Sequence, residues 1–149
     1  MNNDVNIKNK KAGYEYELIS KFTAGIQLQG TEIKSIRGSK ASISEAYCMF
    51  IKDELWIRNM DISEYSHGNI HNHEPKRDRK LLLTQQELDK LRKKAGKKGL
   101  SIIPTRLFIS KRGFAKIDIA IGRGKKLHDK RESLKQKDAQ KAIDRAMRS

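Results

Sequence analysis

Residues 101–121 read SIIPTRLFISKRGFAKIDIAI, and their spacing decides the architecture. In the second half, Ala115, Ile117, Ile119 and Ile121 fall on one face and Lys116 and Asp118 on the other. That period of two marks a strand with one buried side. SIIPTRLFIS (101–110) reads as its partner, with Lys111-Arg112-Gly113 as the turn between them. Pro104 has no N–H to give a ladder, so it is expected at a strand edge or a bulge.

The same reading extends upstream. EAYCMFI (45–51) and ELWIRNM (54–60) flank Lys52 and Asp53 as a second hairpin, and YEYELISKF (14–22) and AGIQLQG (24–30) read as two strands joined by a short turn. Between the hairpins lies a well-marked helix. Thr84 and Glu87 form a T-x-x-E capping box, Leu83 and Leu88 a hydrophobic staple, and Leu88, Leu91 and Ala95 one apolar stripe that Gly96 and Gly99 end. A shorter helix is read over TEIKSIRG (31–38), with Ile33 and Ile36 inward and Gly38 closing it. The fold class is therefore mainly β with inserted helices, a small antiparallel barrel of about six strands for which the oligonucleotide-binding fold is the natural candidate.

The chain has 149 residues, enough for one core. It is expected to divide into a flexible N-terminus (1–8), a barrel (9–121) and a basic tail (122–149). Its formal net charge is +15, and that charge is concentrated. Residues 75–98 carry ten Lys/Arg against three acids and residues 122–149 ten against four, so thirteen of the fifteen excess charges lie in two segments. Such a field favours polyanions, either nucleic acid or an acidic membrane surface. No window approaches a membrane span, and MNNDVNIKNKK lacks the apolar core of a secretory signal, which points to a cytoplasmic protein. Cys48, the single cysteine, sits in the apolar run AYCMF and reads as a core side chain.

Several constellations carry less than they first suggest. His67, His71 and His73 cluster in one loop, but no nearby Cys completes a zinc set, and no metal or cofactor is expected. GRGKK (122–126) lacks the spacing of a phosphate loop. Glu15, Glu17 and Glu32 form no metal-ligand pattern, and no nucleophile and base are paired by spacing, so a nuclease or other hydrolase is disfavoured. PKRDRKLLL (75–83) is more telling. Its leucines are expected to anchor it on the body and hold Lys76, Arg77, Arg79 and Lys80 in fixed geometry, which suits phosphate contacts.

NKKA (9–12), AGIQLQGTEIKSIRGSKASISEAY (24–47), NHEPKRDRKLLL (72–83) and GKKLHDKR (124–131) stand in an order and spacing that resemble the small protein B family of SsrA-binding proteins. The resemblance implies an oligonucleotide-binding barrel without catalytic activity. It also implies an adaptor that binds the tRNA-like domain of transfer-messenger RNA and delivers it to bacterial ribosomes stalled on messages without a stop codon. Carried onto matching positions, it implies RNA contact near Asn9, Lys10 and Lys11, around Glu32 and Lys34, and at Arg79, Lys80 and Leu82. Cations would neutralise phosphates there, while Asn9, Glu32 and Leu82 would read shape or support the contacting loops. A generic barrel that binds single-stranded RNA is the alternative; aromatic platforms would favour it, and aromatics make up only 6% of the chain.

In the tail, Ala139, Ala142, Ile143, Ala146 and Met147 share a face at helical spacing, and Asp144 and Arg148 make an acid-first pair four residues apart. Only two of those apolar side chains are large, so the tail is expected to be disordered when free and helical on a partner. The resemblance makes that partner the small ribosomal subunit, with the tail in the decoding centre and the empty message channel. His128 would stack on a base, Lys125, Lys126, Lys130 and Arg131 would meet phosphates, and Ile143 and Met147 would supply the apolar face. The free protein is expected to be a monomer.

Overall fold

The computed structural model describes residues 5–67 and 72–125. Among them run β1 (Asn6–Lys8), α1 (Lys10–Glu15), β2 (Tyr16–Ile26), α2 (Gly30–Arg37), β3 (Ala41–Ser42), β4 (Tyr47–Ile51), β5 (Glu54–Arg58), β6 (Asp61–Ile62), β7 (Arg79–Leu82), α3 (Gln85–Ala95), β8 (Leu100–Ile109) and β9 (Ala115–Gly124). Six strands close on themselves in the order β8-β4-β5-β7-β2-β9, with β9 returning to β8, and every pairing is antiparallel. This is the expected barrel of the oligonucleotide-binding kind. Closure removes the sheet edges except near one seam, where β4 meets β8 through the single pair Cys48↔Ile102. The far half of β8 takes β1 instead, and β3 with β6 forms a separate ribbon.

The period-two alternation holds from Ala115 to Ile119 and lapses at Ala120, which is fully buried between Ile119 and Ile121. Ile117, Ile119 and Ile121 are fully buried, and Ile102, Leu107 and Ile109 of β8 meet Leu55 and Ile57 of β5 in the same cluster. Each such side chain contributes about 1.5–3 kcal/mol. α3 closes one end of the barrel with Leu91 fully buried; Thr84 Oγ1 accepts from the Glu87 N–H (3.2 Å), and the Glu87 carboxylate accepts from the Thr84 N–H (3.1 Å). α2 inserts Ile36, packs Ile33 and ends at Gly38, as read. The ladder slips between Pro104 and Arg106, which puts Pro104 at a bulge. Cys48 is buried among apolar neighbours, which raises its thiol well above the ordinary range and leaves no thiolate near neutral pH.

The structure corrects the expected boundaries. Residues 14–30 do not form two strands: β2 is one strand of 11 residues, because Thr23 stays in the ladder opposite Asp118 and donates its hydroxyl to that carboxylate (2.7 Å). The N-terminal segment is not flexible throughout, since Asn6–Lys8 pairs with β8 and Val5 is buried. The barrel does not stop at residue 121: β9 continues through Gly124, opposite Tyr16, and the Lys125 N–H donates to the Glu15 carbonyl (2.6 Å). Residues 1–4, His71 and the tail from 126 onward lie outside the described residues.

Candidate nucleic-acid interface

β7 determines which cations of PKRDRKLLL face outward. A strand alternates its side chains, so Arg79 and Leu81 point into the barrel and Lys80 and Leu82 away from it. Arg79 is fully buried. Its Nε donates to the Glu32 carboxylate, Nη1 to the Met60 carbonyl (2.7 Å), and Nη2 to the carbonyls of Pro75 (3.0 Å) and Glu74 (3.3 Å). The expectation of a phosphate contact at Arg79 is therefore corrected: its donors are spent inside the molecule, and it positions the loop from Glu74 to Asp78.

Glu32 is the partner that makes this burial tolerable. It lies in the first turn of α2, fully buried, and accepts from the Gln29 N–H (2.7 Å), from Arg77 Nη2 (2.7 Å) and from Arg79. Burial pushes the Glu32 carboxyl up, but hydrogen bonds from Arg77, the Gln29 amide and Arg79, with the Arg79 charge, outweigh it and hold the group below the ordinary carboxylate value. Burial lowers the Arg79 guanidinium, with Glu32 opposing. One carboxylate faces two guanidinium groups, so the cluster keeps a net positive charge. That excess emerges at Arg77, whose side chain is 31% exposed.

Around Arg77 the remaining expected residues take different roles. Lys76 is exposed on the turn before it; Lys34 is exposed, with Nζ 5.4 Å from the Tyr65 ring; Lys80 is half-exposed and pairs with Glu54 (3.3 Å). Leu82 is 50% exposed, so anchoring falls to Leu81 inside the barrel and Leu83 packed against the core. Leu82 instead borders a groove of about 370 Å³ that is also lined by Leu28, Ile33, Phe114, Arg37 and Lys116. Gly25 opens this groove, since a Cβ there would lie 3.3 Å from that of Leu82. A groove lined by apolar side chains together with two cations suits an unstacked base and its phosphate. Phe114, Arg37 and Lys116 were missed in the sequence; glycine inside the strand pattern at Gly25 was the available signal.

Asn9, Lys10 and Lys11 do not join this face. They open α1, which leads into Tyr16 at the start of β2, whereas Gly25 and Leu82 pair near its other end. At about 3.3 Å per residue the two ends lie roughly 30 Å apart. Asn9 is structural: its Nδ2 donates to the Pro104 carbonyl (2.8 Å), freed by the bulge, and its N–H to that of Thr105 (2.9 Å). Lys10 is exposed, and Lys11 pairs with Glu45. Lys125 is exposed where β9 ends, whereas Lys126, His128, Lys130, Arg131, Ile143 and Met147 lie outside the described residues. Of the histidines, His73 is buried with its ring nitrogens at the Thr31 hydroxyl and the Ile62 carbonyl (both 2.8 Å). Among the described residues no helix is long and apolar enough to cross a membrane.

Comparison with known proteins covers almost the whole chain. The family model described as SmpB protein matches residues 6–149. A protein of Cytophaga hutchinsonii named SsrA-binding protein is 59% identical over 95% of this chain and 93% of its own length. A protein of the same name from Parabacteroides distasonis is 51% identical over 99% of this chain and 97% of its own. Among solved structures, a chain from "tmRNA-SmpB: a journey to the center of the bacterial ribosome" superposes with a TM-score of 0.70 at 37% identity, covering 83% of this chain and 86% of that one.

Proposed function

The chain belongs to the SmpB protein family, and on that premise we propose that it is a cytoplasmic RNA-binding adaptor, without catalytic activity of its own. It binds the tRNA-like domain of transfer-messenger RNA and brings that RNA to stalled ribosomes. The relatives named SsrA-binding protein and the solved tmRNA-SmpB assembly support this reading. The observation that carries it is the buried Glu32, which fixes Arg77 with its guanidinium partly exposed next to Lys76 in the chain and donating to the carbonyl of Gln27, the residue before Leu28 of the groove. Fixed cations supply affinity and register on a folded RNA, and the groove accepts a base that such a fold splays outward. The tail, through Lys125, Lys126, His128, Lys130, Arg131, Ile143 and Met147, engages the small ribosomal subunit.

The test compares binding to transfer-messenger RNA and to an unstructured RNA of equal length at matched salt. Strong preference for the former is expected; comparable affinity would identify a generic single-strand binder.

A further inference from the structure

The outer face of β4, β5 and β7 carries side chains that neither the barrel core nor the cluster around Glu32 uses. Leu55 and Ile57 are fully buried, so by alternation Trp56 and Arg58 of β5 point outward. The same parity turns Tyr47, Met49 and Ile51 of β4 outward around the buried Cys48, and Lys80 of β7 outward beside the buried Arg79 and Leu81. Register sets them side by side. Tyr47 lies opposite Arg58, Met49 opposite Trp56, and Trp56 in turn opposite Lys80. Tyr47 and Ile51 are 41% and 40% exposed, and Trp56, the one tryptophan of the chain, is half-buried.

Tyr47 and Trp56 are diagonal neighbours across the β4–β5 pair, a spacing of about 7–8 Å between backbone positions. Two rings so placed on a sheet accept two successive unpaired bases, one on each. The cations beside them fit the backbone that joins such bases. Arg58 is held by Asp78 and Lys80 by Glu54, both at 3.3 Å, and the four side chains are 36–48% exposed. Ion pairs this exposed are weak, so a phosphate can take the place of either carboxylate. Lys80 is followed two residues later, on the same side of β7, by Leu82 of the groove, which makes the two surfaces continuous. A second copy of the chain is a poor occupant, because two molecules of net charge +15 repel each other, and the same charge draws a polyanion.

We infer that Tyr47 and Trp56, flanked by Arg58 and Lys80, form a stacking platform for single-stranded RNA, a site additional to the groove at Leu82. It goes beyond the proposed function, since it takes unpaired bases whatever folded RNA the groove engages. Its affinity comes from base–ring stacking and tolerates any sequence, because every base presents a π-face.

The experiment titrates the full chain with a short oligoadenylate and with an RNA duplex of equal length while following the emission of Trp56, the only indole present. Saturable quenching by the single strand is expected, and none by the duplex at the same concentration. Tyr47→Leu should weaken oligoadenylate binding roughly 5- to 150-fold with an unchanged salt slope, because the lost contact is a stack and not a phosphate. With a labelled oligoadenylate and anisotropy as the readout, Trp56→Leu should weaken binding likewise, and Trp56→Phe, which keeps a ring, should recover most of it. Lys80→Gln should instead make the salt slope shallower by roughly 0.7. Absent quenching, full affinity in Tyr47→Leu, or equal affinity in Trp56→Leu and Trp56→Phe overturns the inference. Emission that changes with protein concentration alone would identify a face for self-association and overturn it as well. The comparison of transfer-messenger RNA with unstructured RNA stands apart: a lost preference there sinks the proposed function and leaves the platform, whereas absent quenching sinks the platform and leaves the function.

Discussion

At Glu32 one carboxylate serves a helix cap, a buried arginine and a partly exposed one, and the consequences for fold and function separate by residue. Glu32→Gln leaves two guanidinium groups facing a neutral amide, and breaking a buried pair in this way costs about 3–5 kcal/mol at pH 7. The sign of its pH dependence follows from the lowered carboxyl. Glu32 stabilises the fold fully above the unfolded carboxylate value of about 4.3, and that contribution is lost as pH falls through the depressed folded value. The stability gap between wild type and Glu32→Gln in urea unfolding should therefore narrow on acidification below roughly pH 4; a gap constant down to pH 3 would count against the ion cluster. The arginines divide differently. Arg79→Gln should unfold at lower denaturant, since it strips hydrogen bonds to Glu32, Met60, Glu74 and Pro75 from the interior. Arg77→Gln should stay closer to wild type in stability and weaken transfer-messenger RNA binding, with a salt slope shallower by roughly 0.7–0.9. Equal weakening of RNA affinity at matched folding in both would contradict this division. In the sequence the two arginines read alike, because residues 79–82 carry no strand pattern of their own; the parity of Arg79 with Leu81 is what distinguishes them.

Elements with their own local signals were the legible part of the chain. The α3 cap, the Lys52-Asp53 and Lys111-Gly113 hairpins and the Pro104 bulge are written in neighbouring residues, so short-range chemistry decides them. β7 and the joined β2 were not legible, because each depends on partners far along the chain: Arg79–Leu82, in a run ending in three leucines, becomes a strand only between β5 and β2. The candidate site inherits that split. Its cations were legible as composition, while the groove at Leu82 exists only once β7, β2 and β9 are assembled. Local and distant terms predict different costs on substitution. Thr84→Ala removes one cap and should cost about 1 kcal/mol, whereas Leu91→Ala opens a cavity under the helix that closes the barrel and should cost about 2–5 kcal/mol. Chemical denaturation of both at one temperature checks the ranking, and a larger cost at Thr84 would mean that α3 is held by its end rather than by its buried face.

Across the molecule, the Leu82 groove lies at one end of β2, and β9 delivers the chain to its tail at the other, opposite Tyr16. The position where the barrel ends then matters for any attempt to remove the tail. A chain ending at Ile121 loses Gly122–Gly124, which pair with Tyr16, Glu17 and Leu18, and loses the close packing of Gly122 on Tyr16, where a Cβ would meet that of Tyr16 at 3.0 Å. A chain ending at Lys125 keeps the whole ladder and the bond to Glu15. The longer truncation should match the full chain in thermal unfolding and in affinity for transfer-messenger RNA; the shorter should melt earlier, because β2 loses its partner at the end that carries α1. Both should fail to support tagging of nascent chains on stalled ribosomes, the longer one solely for want of the tail. Tagging, RNA binding and unfolding measured on the same preparations decide the matter. If the chain ending at Lys125 tags as well as the full protein, the tail has no part in engaging the ribosome.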